Sequence, residues 1–92
     1  MALKKPITNP NGTVTEYHRL DNGSITKTKD NLFKISYSLS SYINESYRRL
    51  SAFNHVERTT SYLVQDTVPT DVFKAVYNHL KSTPKYVNAL DI

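Results

Sequence analysis

The segment Leu32-Phe33-Lys34-Ile35-Ser36-Tyr37-Ser38-Leu39-Ser40-Ser41-Tyr42-Ile43 decides the fold class of this chain. Apolar side chains at Phe33, Ile35, Tyr37 and Leu39 alternate with lysine and serine. Successive side chains of a strand point to opposite faces of a sheet. The pattern therefore predicts a strand over 32–43 with one apolar face in the core and one solvated face.

A hairpin is predicted before this strand. Residues 13–20 are rich in Thr, Val and Tyr, which favour strands. Asp21-Asn22-Gly23 follows, and Asn-Gly tolerates the positive φ that a tight hairpin turn requires. Residues 24–29 would then return as the second strand, and Asp30-Asn31 would form the turn into 32–43.

A further strand and one helix are predicted in the second half of the chain. Residues 55–64 read as a strand, with Tyr62 assigned to the core together with Tyr37 and Tyr77. Residues 70–82 have helical spacing of apolar side chains, Thr67 or Thr70 can cap the start, and a proline prevents continuation. The apolar stripe consists of Val72, Phe73, Val76, Tyr77 and Leu80.

Strands followed by a helix favour an α+β arrangement over alternating strands and helices. We expect a small antiparallel β-rich domain with one C-terminal helix at about 70–82. Its core would join Phe33, Ile35, Tyr37 and Leu39 to the helix stripe. Residues 85–92 form a tail whose apolar side chains could pack back.

The chain is short enough for a single domain. It has 92 residues. Residues 1–12 contain the turn formers Pro6, Asn9, Pro10 and Gly12, so we expect an N-terminal arm without regular structure, followed by the domain over 13–92. There is no cysteine to form a disulfide, and a domain of this size buries a limited core. Association with other chains, including a homo-oligomer, is therefore expected.

Charge and hydropathy bear on which functional classes are expected. The net charge is +4, but Lys and Arg are scattered, which is typical of a solvated surface rather than a concentrated nucleic-acid footprint. No apolar run approaches the roughly 20 residues of a membrane helix, so no membrane partner is expected. Lys4-Lys5 is followed by no apolar stretch, so no secretory signal is expected.

Catalytic and metal-binding motifs are not found in the sequence. It contains two glycines, no Gly-x-Ser-x-Gly elbow and no glycine-rich phosphate loop. His18, His55 and His79 are not paired at ligand spacing. We therefore expect a protein that is not an enzyme, with no catalytic residues, cofactor or metal.

An aromatic and basic cluster makes residues 42–53 the candidate partner interface. Tyrosine and arginine are enriched at the cores of protein interfaces. Residues 44–54 fit either a short helix or an excursion loop. For residues 42–53, a partner interface and a plain loop are both possible interpretations. Aromatic side chains among basic ones could also stack on single-stranded nucleic acid. The candidate interface residues are Tyr42, Tyr47, Arg48, Arg49 and Phe53.

Several short motifs spread over the chain carry a family resemblance. The first are Ala2-Leu3-Lys4-Lys5, Asn11-Gly12, Tyr17-His18-Arg19-Leu20 and Ser41-Tyr42. The end of the chain adds Ala75 with Leu80-Lys81-Ser82-Thr83, and then Ala89-Leu90-Asp91-Ile92. Together they resemble small tail- or baseplate-associated structural proteins of long-tailed bacteriophages of Gram-positive bacteria. The middle segment is charged in that family, whereas residues 44–54 here contain two aromatic side chains and two arginines.

The resemblance implies a bacteriophage virion structural protein. Such a protein would be a tail or baseplate component, made in the host cytoplasm, located in the virion and acting through contacts with other virion proteins. The resemblance implies no catalytic residues. The net charge of +4 leaves one alternative, a phage nucleic-acid-binding or regulatory protein with nucleic acid as its partner.

Overall fold

The computed structural model describes residues 2–92 as one antiparallel sheet with two helices, and Met1 lies outside the described residues. The predicted fold class, an α+β domain with an antiparallel sheet and a C-terminal helix, is confirmed. The elements are β1 (Leu3–Thr8), β2 (Val14–Lys27), β3 (Phe33–Tyr42), α1 (Glu45–Leu50), a 3-10 turn (Ala52–Asn54), β4 (Glu57–Gln65), α2 (Val72–Lys81) and β5 (Leu90–Asp91).

The strands lie in the order β4-β3-β2-β1-β5. Strands β1 to β4 follow one another as a meander, and β5 returns to pair with β1 at the opposite edge. Asn31 has a φ of 59° in the turn between β2 and β3, where the Thr28 N–H donates to the Leu32 carbonyl at 2.8 Å. The predicted turn at Asp30-Asn31 is therefore confirmed.

The main core lies between the sheet and α2. The alternation in β3 places Ile35, Tyr37 and Leu39 in this core, where they share a buried cluster with Val76 and Leu80 of α2. This part of the predicted core is confirmed. Phe33 is half-buried. Leu3, Leu20, Leu63, Tyr77, Tyr86 and Ala89 complete the buried cluster.

The expectation for Phe73 is wrong, because its side chain stays 38% exposed. Its ring lies over Gly23 of β2, where an added Cβ would come within 3.3 Å of the Phe73 Cε1 atom. The same Cβ would lie 3.0 Å from the Cγ1 atom of Val72. The first turn of α2 thus packs closely on Gly23. This contact covers one side of the Phe73 ring and leaves the ring partly exposed.

The predicted hairpin turn at Asp21-Asn22-Gly23 is wrong. β2 continues through these residues and pairs with β3 as far as Lys27, so residues 24–29 are not a returning strand beside 13–20. A register shift lies between Leu20 and Asn22, and the Leu20 N–H donates to the Tyr77 hydroxyl of α2 at 2.8 Å. Asn-Gly permits a turn without requiring one, and here the glycine gives the helix room.

The expectation of an arm without regular structure over residues 1–12 is also wrong. Leu3–Thr8 forms β1, and Leu3 is completely buried in the main core. Pro6 is accommodated because the pairing with β2 is irregular between Lys4 and Ile7. The turn-forming residues produce a turn only at residues 9–12, between β1 and β2, where Gly12 has a φ of 85°.

The second face of the sheet is less solvated than the alternation in β3 predicts. Ser38 and Ser40 are buried, and the Ser40 hydroxyl donates to the Asp21 carboxylate. Tyr42 packs with Ala2 and Tyr17 in a separate buried cluster. Residues 44–54 supply the cover for this end of the sheet, which sequence periodicity does not reveal.

Helix α2 begins with a different cap from those predicted. The Asp71 side chain accepts a hydrogen bond from the Lys74 N–H at 3.0 Å, which makes Asp71 the N-cap instead of Thr67 or Thr70. After the helix, Tyr86 and Ala89 are buried. Leu90 and Ile92 remain exposed although β5 pairs with β1.

The assignment of Tyr62 to the core is wrong. Leu63 is the buried residue of β4, and Tyr62 points to the opposite face with 57% of its surface exposed. The Lys34 ammonium lies 4.5 Å from the centre of the Tyr62 ring. The predicted strand over 55–64 corresponds to β4 at 57–65.

Candidate protein-binding site

Residues 44–54 form a short helix and a 3-10 turn whose local sequence explains both. Asn44 caps α1, since its side-chain oxygen accepts from the Tyr47 N–H at 3.1 Å. Glu45 lies in the first turn and Arg48 and Arg49 in the last, an order that suits the helix dipole. The Ser51 hydroxyl oxygen then accepts from the Phe53 N–H at 3.1 Å and starts the 3-10 turn. Of the two alternatives for this segment, the structure shows the helix.

Tyr42 holds this segment against the sheet. Its ring is completely buried, and its hydroxyl donates to the Ala52 carbonyl at 2.9 Å. The His55 ring meets it edge-on with 6.5 Å between ring centres. The Asn54 side-chain amide donates to the Tyr47 carbonyl at 3.0 Å, which ties the 3-10 turn back to α1. The segment is therefore an ordered attachment with a defined outer surface.

The outer surface of this segment carries three large apolar side chains. Tyr47 is 44% exposed, Leu50 is 78% exposed and Phe53 is 88% exposed. None of the residues of α1 or of the 3-10 turn is buried. We call Tyr47, Leu50 and Phe53 the apolar ridge. Tyr47 and Leu50 lie three residues apart on one face of α1, and Phe53 follows in the 3-10 turn. Exposed apolar side chains at neighbouring positions are typical of a site that a partner covers.

The other predicted interface residues occupy different environments. Tyr42 is a core residue and cannot contact a partner, so it supports the site from beneath. Arg49 is exposed and makes an ion pair with Glu45 at 2.9 Å. Arg48 is half-buried, and its Nε atom is buried with no hydrogen-bond partner among the described residues. The structure thus gathers Tyr47, both arginines and Phe53 on one short segment.

Sequence reasoning did not include Leu50 in the predicted site. Its three-residue spacing from Tyr47 places both residues on one face of a helix, and this is the signal that could have found it. A groove of about 380 Å³ beside α1 was also not foreseen. It is lined by Asn44, Glu45 and Ser46 of the segment and by Lys4, Glu16, Tyr17 and Ile92 of the neighbouring strands and C-terminus.

A buried polar network connects three strands next to the main core. The Nε2 atom of His18 lies 2.9 Å from the Lys5 carbonyl, and the Nδ1 atom lies 2.7 Å from the Ser41 hydroxyl. A carbonyl only accepts, so Nε2 carries the proton, and Nδ1 accepts from Ser41. The Tyr86 ring meets the His18 ring edge-on with 5.1 Å between centres.

Burial controls the protonation of this network. It lowers the pKa of His18 below the ordinary value of 6.5, against the opposing effect of the hydrogen bond to Lys5. It raises the pKa of Tyr86 to about 12, although a hydrogen bond with Ser41 acts in the other direction. Ser41 and His18 have the separation of a nucleophile and its base, but both are buried and both ring nitrogens have partners. We assign the pair a structural role.

No family model, curated protein or solved structure matches this chain. Within residues 2–92, no three histidine, aspartate or glutamate side chains are grouped as possible metal ligands. Neither helix in the described part of the chain has the length and apolar character needed to cross a membrane.

Proposed function

We propose that this chain is a structural subunit of a bacteriophage virion, in the tail or baseplate, and that it works by binding other virion proteins. The apolar ridge carries the protein-binding part of the proposal. Two of its side chains, Leu50 at 78% and Phe53 at 88%, are the most exposed large apolar residues that the structure describes. The viral setting is inferred from the sequence motifs, including Ala2-Leu3-Lys4-Lys5 and Tyr17-His18-Arg19-Leu20.

The ridge has the physical properties of a binding site. Aromatic residues with a neighbouring arginine are frequent among the side chains that dominate binding energy. The caps at Asn44 and Ser51 and the bond from Tyr42 to Ala52 hold the segment in place before any partner arrives. A preorganised segment loses little conformational entropy on binding. Partner proteins with an apolar depression and a polar rim would fit it.

The proposal is tested by asking whether the chain is part of the particle. Virions of the phage that encodes it would be purified on a density gradient and their proteins quantified by mass spectrometry. We expect the chain at a constant copy number relative to the other tail proteins. Absence from purified particles, while the chain is abundant in the infected cell, would contradict the proposal.

The nucleic-acid alternative predicts a different result. A protein that neutralises phosphates loses affinity steeply as salt concentration rises. Retention of the purified chain on DNA would be measured over a salt series. Strong retention that falls steeply with salt, in a chain missing from virions, would favour the regulatory alternative over the structural one.

A further inference from the structure

The two edges of the sheet differ in how they are protected from pairing. At one edge, β5 covers β1 at Leu3 and Lys4. Farther along the same strand, Pro6 has no N–H to donate, and the register is irregular between Lys4 and Ile7. Proline, lysine and a bulge are the usual features that keep an edge strand from pairing with another chain.

The opposite edge carries the charged residues Glu57 and Arg58 at the start of β4 and has less protection beyond them. β4 is nine residues long, and within residues 2–92 its only neighbour in the sheet is β3. Residues 59–64 read Thr-Thr-Ser-Tyr-Leu-Val, with no charge, proline or glycine. Tyr62 and Val64 are exposed on the face away from α2. Each N–H and C=O group that points away from β3 is therefore available to a further strand.

We propose that β4 pairs in antiparallel fashion with β4 of a second copy, about a two-fold axis at Tyr62. The two sheets then form one continuous sheet across the dimer. This interface is separate from the apolar ridge, so it does not depend on the proposed virion function. The β4–β4 contact is the one through which the expected homo-oligomer would form.

Side-chain pairing on the exposed face selects this register. With Tyr62 on the axis, the two Tyr62 rings face each other and Thr60 lies opposite Val64. Arg58, whose Nε atom lies 3.4 Å from the Asp21 carboxylate, lies opposite Asp66, the first residue after β4. Aromatic, β-branched and oppositely charged pairs directly across an antiparallel ladder are favourable. Placing Ser61 on the axis would instead set Arg58 against Val64. A shift by one residue of a single strand would turn its side chains to the wrong face.

The face covered by α2 also fits a second copy. In this register Ser61 lies opposite Leu63 of the other chain. Beside Ser61 is a shallow cavity of about 190 Å³, whose lining includes Tyr37, Leu39, Leu80 and Tyr86. Leu63 continues the apolar layer of one subunit into β4, and Leu63 of the second copy would extend it past Ser61.

The oligomeric state gives the first test. Light scattering coupled to size exclusion, over a range of concentrations, should give twice the 10.5 kDa mass of one chain. The variant Tyr62→Glu places two like charges directly opposite each other at the axis, which is destabilising in an antiparallel ladder. We expect it to be monomeric with an unchanged circular dichroism spectrum. A parent that stays monomeric, or a variant that stays dimeric, would overturn the proposal.

Cysteine cross-linking gives the second test, because the chain has no cysteine of its own. Residues opposite each other across an antiparallel ladder have Cα atoms about 4.5–5.5 Å apart, within disulfide range. Tyr62→Cys should therefore form a covalent dimer quickly on mild oxidation. The matched variant Thr60→Cys should not, since its two copies would lie about 13 Å apart in this register.

A mixture of Thr60→Cys with Val64→Cys should cross-link, because those positions oppose each other. Rapid self-linking of Thr60→Cys, or none by Tyr62→Cys, would contradict the register. The variant Phe53→Ala should remain dimeric. If the β4 dimer does not form, the virion proposal is not affected, because it concerns the apolar ridge.

Discussion

The imidazole of His18 lies between β1 and β3 and makes one hydrogen bond to each through Lys5 and Ser41. In the neutral ring Nδ1 accepts from the Ser41 hydroxyl, and protonation would reverse this hydrogen bond, because the hydroxyl oxygen can also accept. Burial lowers the pKa of His18, because the charged ring would lose its hydration inside the domain. Protonation of this one residue would therefore affect the hydrogen bonds that join β1, β2 and β3.

We predict that stability falls as the pH drops below the ordinary histidine pKa of 6.5. Between that value and the lower folded-state pKa of His18, the unfolded chain binds more protons than the folded one. The free energy of unfolding therefore decreases with falling pH and is retained in full above this window. Thermal melts followed by circular dichroism from about pH 7.5 to about pH 5.5 would measure the decrease.

Variants of the three histidines identify the source of this effect. The double variant His55→Gln/His79→Gln leaves His18 as the remaining histidine and should keep the pH-dependent decrease. His18→Gln should flatten it across the window. An equal slope in His18→Gln and in the parent would show that another group is responsible.

At the scale of elements, the strength of the local signal decided what the sequence could predict. β3 and α2 were predicted because each has a clear period over ten residues. β1 was missed because Pro6 and the following turn formers outweighed Leu3 and Ile7, whose burial depends on long-range pairing. The prediction of a turn at Asn22-Gly23 was wrong because Gly23 has another structural role. Without a side chain it allows α2 to approach β2 closely.

The interface role of the residues in the candidate site stays a prediction, whereas their surroundings are now described. Tyr47, Arg48, Arg49 and Phe53 do lie together on one segment. Tyr42 was included because the second face of β3 was expected to be solvated. Its burial depends on residues 44–54 folding over that face, a tertiary contact without a sequence period.

We predict that the cap of α2 is worth measurable stability. Asp71→Ala should cost about 1 kcal/mol, because the Lys74 N–H loses its side-chain acceptor. Thr67→Ala and Thr70→Ala should each change stability by less than about 0.5 kcal/mol. Urea unfolding curves would compare the three variants, and a larger loss from Thr70→Ala would show that the cap is assigned to the wrong residue.

A pair of identical substitutions should separate the core helix from the exposed one. Leu80 is buried in the main core, whereas Leu50 of α1 is exposed. Leu80→Ala should cost about 2–5 kcal/mol through lost burial and the cavity left behind. Leu50→Ala should stay within about 0.5 kcal/mol of the parent in the same urea experiment. A large loss from Leu50→Ala would mean that the ridge stabilises the fold and is not free for a partner.

At the scale of the whole molecule, one sheet carries an apolar cluster on each face. The larger cluster lies under α2, and the smaller one lies under residues 44–54. A domain of 92 residues buries a modest share of its surface, so association can add stability that the core does not supply. The two proposed contacts, at the apolar ridge and at the edge of β4, would use separate surfaces for this purpose.

The most direct test of the account is virion incorporation of the variant Tyr47→Ala/Phe53→Ala. A control, Val68→Ala/Val87→Ala, also removes two exposed apolar side chains, but outside residues 44–54. Both variants should melt like the parent. Loss of contacts worth on the order of 2 kcal/mol should lower incorporation of the ridge variant at least about tenfold, with the control unaffected. Equal incorporation of the ridge variant and the control, measured by mass spectrometry of purified particles, would contradict a partner-binding role for the ridge.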